Sequence, residues 1–234
     1  MQRSAMLVHV IGPGHGGPQP DIWRDKWRDS WLAKFDQRGD EWAYAVLAAK
    51  APDLPAFYGA YGQLTLSDAL MLYGELGSSA RAQALQSAAD SAQPFTVQTA
   101  SSRQATTLVG TSYTFEDGKS LAVEYLHNGH GYTAAQEKTY FQRATSSPAM
   151  ALGLMPSLLG RDYLHLVYQS NVMDEHGYWR LMYTRNLTDG SNEYSVYAER
   201  TLSSRIGVYV LATVPQGKAR QEFPALLENS VTLG

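Results

Sequence analysis

The stretch Thr106–Tyr132, TTLVGTSYTFEDGKSLAVEYLHNGHGY, decides how the rest of the chain is read. It consists of two alternating segments around a tight Glu116-Asp117-Gly118-Lys119 turn, the pattern of a β-hairpin. Side chains alternate across a strand, so Val109, Thr111, Tyr113, Phe115, Leu121, Val123 and Tyr125 share one face. Gly110, Ser112, Thr114, Ala122 and Glu124 share the other. Such a face packs against either a protein core or lipid, and the rest of the chain must decide which.

Alternation of this kind recurs from end to end. Strands are expected near 4–11, 31–37, 41–49, 56–66, 69–77, 104–115, 119–128, 161–170, 178–187, 193–201, 205–214 and 225–234, about twelve in all. Helical periodicity is scarce: Ser79–Ser91 and Tyr132–Thr145 are the two candidates, both between strands. Short turns (QRGDE, SDA, EDGK, NVMDEHG, LSSR) alternate with the other connections, and the long loops 12–30, 78–103 and 129–160 all fall on one side of that count. This parity predicts an all-β, antiparallel up-and-down sheet in a single domain over 1–234, with tight turns at one end and elaborate loops at the other. A Greek-key sandwich would mix its loop lengths between the ends.

Composition narrows the setting. The net charge of −3 offers no basic footprint for nucleic acid. Charged residues make up 18% of the chain, below the roughly 25% of ordinary globular domains. Fifteen Tyr and five Trp stand beside six Phe, a bias towards rings with one wet end that suits membrane interfaces. With no cysteine there is no disulfide, thiolate metal site or cysteine nucleophile. No run of about 18 apolar residues offers a transmembrane helix, whereas barrel strands need only about 10 alternating residues. The N-terminal MQRSAMLVHVIGPG lacks the h-region and cleavage site of a signal peptide, so an exported form is expected to carry its signal upstream.

The second face of the expected strands carries charge in mid-strand. Glu75, Glu124, His165, Arg180, Glu199 and Glu228 are the candidate lumen-facing residues, and Asp162 is assigned to that face as well. Arg180 and Arg185 on one strand, with Glu199 on the next, set either a transverse field that selects solutes or a group of lumenal salt bridges. Trp31, Trp42, Tyr58, Tyr113, Phe115, Tyr125, Trp179 and Tyr194 lie near strand ends, where aromatic girdles form. Gly59, Gly62, Gly74, Gly110 and Gly207 suit a strongly curved wall or local bulges.

With the hairpins TSYTFEDGKSLAVEYLHN, YWRLMYTRNLTDGSNEYSVYAE and AERTLSSRIGVYVLATV in view, the chain resembles the C-terminal part of a Gram-negative outer-membrane β-barrel of the porin-like or export-channel kind. The resemblance lies in architecture and texture, over about 4–234, rather than in a diagnostic motif. It implies a transmembrane β-barrel in the bacterial outer membrane, acting as a passive channel or export pore for polar solutes. The implied partners are the lipid bilayer, lipopolysaccharide and the barrel-assembly machinery, and no cofactor is implied. Such barrels usually end in an aromatic residue, and Gly234 departs from that, so truncation at both ends is expected.

No residue set reads as a convincing catalyst. Outer-membrane phospholipase A pairs His-x-Ser on one strand with Asn on the next; here Tyr168 stands where the His would be before Ser170. A phenol with pKa near 10 is a poor base for activating serine. His127 and His130 in LHNGHGY lack a third metal ligand at a recognised spacing. GPGHGGPQP (12–20) lacks the helix and Lys-Ser/Thr of a phosphate cradle, and DIWRDKWRDSW (21–31) reads as a capped rim. The alternatives are a soluble β-barrel holding a small apolar ligand and an outer-membrane hydrolase.

Overall fold

A computed structural model describes residues 2–10, 30–51, 55–80, 83–86, 96–99, 102–144, 158–171, 173–174, 177–203 and 205–234. The chain is all-β. Five strands run first: β1 (Gln2–Val10), β2 (Ser30–Arg38), β3 (Trp42–Lys50), β4 (Phe57–Thr65) and β5 (Leu70–Ser79). A two-stranded hairpin follows, β6 (Gln83–Gln86) with β7 (Thr96–Thr99). The main sheet resumes with β8 (Gln104–Thr114), β9 (Ser120–Asn128), β10 (Asp162–Gln169), β11 (Gly177–Asn186), β12 (Asn192–Ser203), β13 (Ile206–Gln216) and β14 (Ser230–Leu233). Its twelve strands are antiparallel, and their spatial order follows the chain. β1 and β14 are the edges, with no pairing between them recorded among the described residues, so the sheet is open.

All connections longer than seven residues lie at one end of the sheet, including the expected long loops, and the opposite end carries only short turns. The β8–β9 turn shows how local chemistry fixes such an end. Phe115 N–H donates to the Lys119 carbonyl, and Gly118 sits at φ 79°, a region that favours glycine. Any Cβ there would also collide with Asn171.

The helix α1 (Ala134–Ala144) lies in the loop after β9, within the expected span. Thr133 and Gln136 cap it reciprocally: Gln136 N–H donates to Thr133 Oγ1, and Thr133 N–H donates to Gln136 Oε1. The other helix expectation fails. Ser79 belongs to β5, where it pairs with Gln104, and Gln83–Gln86 pairs with Thr96–Thr99 as strand; 87–91 lie outside the described residues. Alanine propensity is a weak preference beside a continuing ladder. The last expected strand is also shorter. Residues 222–226 form a five-residue helix, α2 (Glu222–Leu226), and only Ser230–Leu233 pairs with β13.

The ladder register defines two faces. Across β8 to β12 one face reads Val109–Tyr125–Leu164–Arg185, Thr111–Val123–Leu166–Tyr183–Tyr194 and Tyr113–Leu121–Tyr168–Leu181–Val196. It continues through Val46, Ala60 and Leu76 on one side and Val210 and Ala212 on the other. The second face carries Glu75, Gly110, Glu124, His165, Arg180, Ser195 and Glu199. The hairpin read from the sequence therefore has the alternation assigned to it.

Tyr73, Gly110 and Glu124 occupy one row of the polar face across β5, β8 and β9. Gly110 has no side chain, so the Tyr73 ring lies over it and its hydroxyl donates to Glu124 Oε1 at 2.7 Å. A Cβ at Gly110 would stand 2.5 Å from that ring. We predict that Gly110→Val displaces Tyr73, breaks the hydrogen bond and destabilises the sheet by about 1–3 kcal/mol. Denaturant unfolding followed by tryptophan fluorescence checks this, and an unchanged midpoint would contradict it.

Candidate functional site: the polar face and the clamp at its loop end

Charge is partitioned between the two faces by depth. On the apolar face the ionisable residues in the described strands, tyrosines aside, are Arg3, His9, Lys50, His127, Asp162, Arg185 and Arg200. Each lies within three positions of a strand end. Its middle is uncharged, chiefly Val, Leu, Ala, Gly and Thr with Phe35 among them. The polar face carries Lys34, Asp36, Arg38, Glu75, Glu124, His165, Arg180, Glu193 and Glu199, several of them in mid-strand.

Five of the six candidate lumen residues, Glu75, Glu124, His165, Arg180 and Glu199, stand on the polar face as expected from alternation. Glu228 does not: it precedes β14, in the stretch after α2, because the helix displaces the strand by several residues. Asp162 and Arg185 also move, to the apolar face, since each shares parity with Leu164 or Leu181. Asp162 there accepts from Tyr125 Oη at 2.6 Å and contacts His127 Nδ1 at 2.8 Å.

Two rows of rings bound the apolar face. Trp31, Tyr58, Tyr125, Tyr183 and Tyr194 lie towards the long-loop end, with Tyr183 and Tyr194 at 4.9 Å. Trp42, Tyr113, Phe115, Tyr168 and Trp179 lie towards the short-turn end, the last four in a chain of edge contacts at 5.0, 6.3 and 5.2 Å. Tyr168 and Ser170, compared above with a phospholipase pair, are wall residues in this geometry. The Ser170 hydroxyl accepts from the Trp179 backbone N–H at 3.0 Å. His127 and His130 face different partners, Asp162 and Ser79.

The polar face is satisfied mostly by neutral partners. His165 Nδ1 meets Thr184 Oγ1 at 2.9 Å. Arg180 Nε donates to Gln169 Oε1 at 3.1 Å and Tyr178 Oη at 2.8 Å, and Glu199 accepts from Tyr197 Oη at 2.5 Å. Arg180 and Glu199 thus form no ion pair with each other. Of the two readings of these charges, neutralising bridges do not describe this pair.

Sequence reasoning missed the densest polar site, at the long-loop end. Glu137 on α1, Asn186 at the end of β11 and Glu222 on α2 are 0–3% exposed. Asn186 Nδ2 donates to Glu137 Oε1 at 3.0 Å and to Glu222 Oε2 at 2.7 Å. Its Oδ1 accepts the Thr188 N–H at 2.7 Å. Tyr163 Oη donates to Glu222 Oε2 at 2.5 Å, and Leu159 N–H donates to Glu222 Oε1 at 2.7 Å. Asp189 closes the network by accepting from Glu222 N–H at 2.6 Å and from Ser191. Tyr132, Tyr140, Phe141, Leu159 and Phe223 are buried around it. Apart from Ala45 and Tyr163, these are the buried hydrophobic residues among those described, so the only apolar core is this cap and not the sheet.

Burial pushes the Glu137 carboxyl up to about 8, against the opposing pull of the Asn186 hydrogen bond, with Asp189 and Glu222 adding to the rise. Burial also raises Glu222, against the opposing hydrogen bonds from Tyr163, Leu159 and Asn186. Glu137 Oε2 is buried with no hydrogen-bond partner, as suits a carboxyl that keeps its proton. The network clamps together three connections that the chain separates widely. Its members were illegible because Glu137, Asn186 and Glu222 are scattered through polar segments. The usable signal was Tyr140 and Phe141, three and four residues after Glu137, which give α1 an apolar stripe.

Comparisons with protein-family models, curated proteins and solved structures find no match for this chain.

The linkage has a definite sign. An acid with a raised folded pKa binds its proton more tightly when folded, so its contribution is complete below the ordinary value of 4.5. Stability then falls by up to about 1.4 kcal/mol per pH unit as pH rises towards the folded value. We predict that the advantage of Glu137→Gln over wild type grows between pH 5 and pH 8 in denaturant titrations. Parallel pH profiles for the two proteins would contradict this. Asn186→Ala, which strips both carboxyls of a shared donor, should cost about 2–4 kcal/mol in the same assay.

Proposed function

We propose that this chain forms a transmembrane β-barrel of the bacterial outer membrane and acts as a passive channel for polar solutes. In that arrangement the two free edges, β1 and β14, come together or are completed to close the wall. The apolar face meets lipid, the polar face lines a wet lumen, and the clamped loops cap one mouth.

The observation that carries the reading is where the apolar side chains go. A soluble barrel buries its apolar face as the core. Here Val109 is 57% exposed, Leu76 47%, Leu181 43% and Val196 41%, all in mid-face with no layer over them among the described residues. A charge-free band of this extent between two aromatic rows is costly in water and ordinary in a bilayer. This weighs against a soluble barrel holding a small apolar ligand. The loop asymmetry also fits, since outer-membrane barrels have short periplasmic turns and longer outer loops.

The wall charges suggest the selectivity. In the described strands the polar face carries five acidic residues (Asp36, Glu75, Glu124, Glu193, Glu199) and three basic ones (Lys34, Arg38, Arg180). Ion rings of one sign favour the opposite ion. Reconstituted into planar bilayers, the protein should conduct with K⁺ preferred over Cl⁻, and Glu75→Lys with Glu124→Gln should reduce or reverse that preference. Absence of discrete conductance from correctly inserted protein would sink the channel reading.

A further inference from the structure

The polar face bears one feature that ion passage does not require. Tyr178, Tyr197 and Tyr209, from the adjacent strands β11, β12 and β13, form a continuous aromatic shelf near the short-turn end. Successive ring centroids are 6.2 Å apart, and the second pair is stacked with planes 29° from parallel. Hydrogen bonds from Tyr178 Oη to Gln169 at 2.7 Å and from Tyr197 Oη to Glu199 at 2.5 Å hold two of the rings by their tips. The Arg180 guanidinium lies 5.6 Å from the Tyr178 ring and is fixed through Nε, leaving its terminal nitrogens as donors. One Glu199 carboxylate oxygen is engaged by Tyr197, leaving the other as an acceptor.

We propose that this shelf is a binding site for a neutral oligosaccharide passing along the lumen. The chemistry required is particular to sugars. A pyranose presents a face of C–H groups that packs on an aromatic ring, and an edge of hydroxyls that both donate and accept. The shelf supplies three rings in series, with a fixed donor (Arg180), an acceptor (Glu199) and an amide (Gln169) at their margin. Arg180 and Glu199 balance in charge, which favours a neutral ligand over an ion. Rings tethered at their hydroxyls lose little rotamer freedom on binding, so the site is preorganised. Spacing across three strands suits a chain of sugar rings better than a single one.

The inference rests on the polar face lining a water-filled lumen, and its test is kept separate from conduction. Titration calorimetry of the full chain in detergent micelles, with maltohexaose and cellohexaose as probes, reads binding directly. Sugar-free bilayer conductance on the same preparation reads the channel. At least one hexasaccharide should bind, with affinity falling tenfold or more in Tyr197→Ala and severalfold in Arg180→Met. Tyr183→Ala, on β11 but on the apolar face and towards the long-loop end, should bind as wild type. Tyr197→Phe should retain most of the affinity, which distinguishes loss of the ring from loss of the Glu199 hydrogen bond. No binding of either sugar to a conducting protein, or equal affinity in wild type and Tyr197→Ala, would overturn the sugar site and leave the channel standing.

Discussion

The structure depends on one constraint, the period-2 alternation of a pleated strand carried in phase through twelve neighbours. Because adjacent residues point to opposite faces, a single register slip would exchange the apolar and polar sets of a whole strand. The ladders from β1 to β14 keep that phase throughout, with one irregularity between Thr201 and Ser203 near the short-turn end of β12. Everything else follows from it: the uncharged band, the aromatic rows that bound it, and the charged wall on the reverse. Backbone hydrogen bonding satisfies the polar groups of the inner strands within the sheet, and only the edges β1 and β14 keep an unpaired row, which a bilayer would require to be closed.

The division of labour between wall and cap is equally physical. The wall contributes almost no buried apolar side chains, whereas the cap gathers aromatic residues around Glu137, Asn186 and Glu222. The wall takes its stability from ladders, cross-strand contacts such as Tyr73 over Gly110 and, in the proposed setting, the surrounding lipid. The cap has a conventional core with a polar heart, and its cost is a pair of carboxyls removed from water. Asn186 makes that pair tolerable by donating to both. Glu137 bonds to Asn186 at the polar-face end of β11, so its raised carboxyl makes the stability of the cap depend on pH.

Much of the fold was legible in the sequence because alternation is local. The β8–β9 hairpin needed only Val109 to Tyr125 to be read correctly, and every strand of the main sheet lies at or near its expected span. That five of the six candidate lumen residues share the polar face followed from parity alone. The failures came where local pattern and tertiary context diverge. Ser79–Ser91 carries helical propensity, but β5 extends to Ser79 and a hairpin takes up Gln83–Gln86. Glu228 looked like a strand residue because EFPAL, with only five helical residues, carries too little periodicity to announce α2. Asp162 was misplaced through parity miscounted at a strand's first residue. The clamp was hidden for a different reason: its residues meet only after the β9–β10, β11–β12 and β13–β14 connections fold together.

The central claim is that the apolar face touches hydrocarbon while the polar face touches water, and the absence of native cysteine makes that directly measurable. Single cysteines placed in turn along Trp179–Thr184 on β11 and labelled with an environment-sensitive fluorophore report the surroundings of each position in reconstituted vesicles. Quenching by bromolipid acyl chains at 179, 181 and 183, alternating with quenching by an aqueous quencher at 180, 182 and 184, is the predicted result. Uniform aqueous quenching without alternation, or bromolipid quenching at the polar-face positions, would contradict the account.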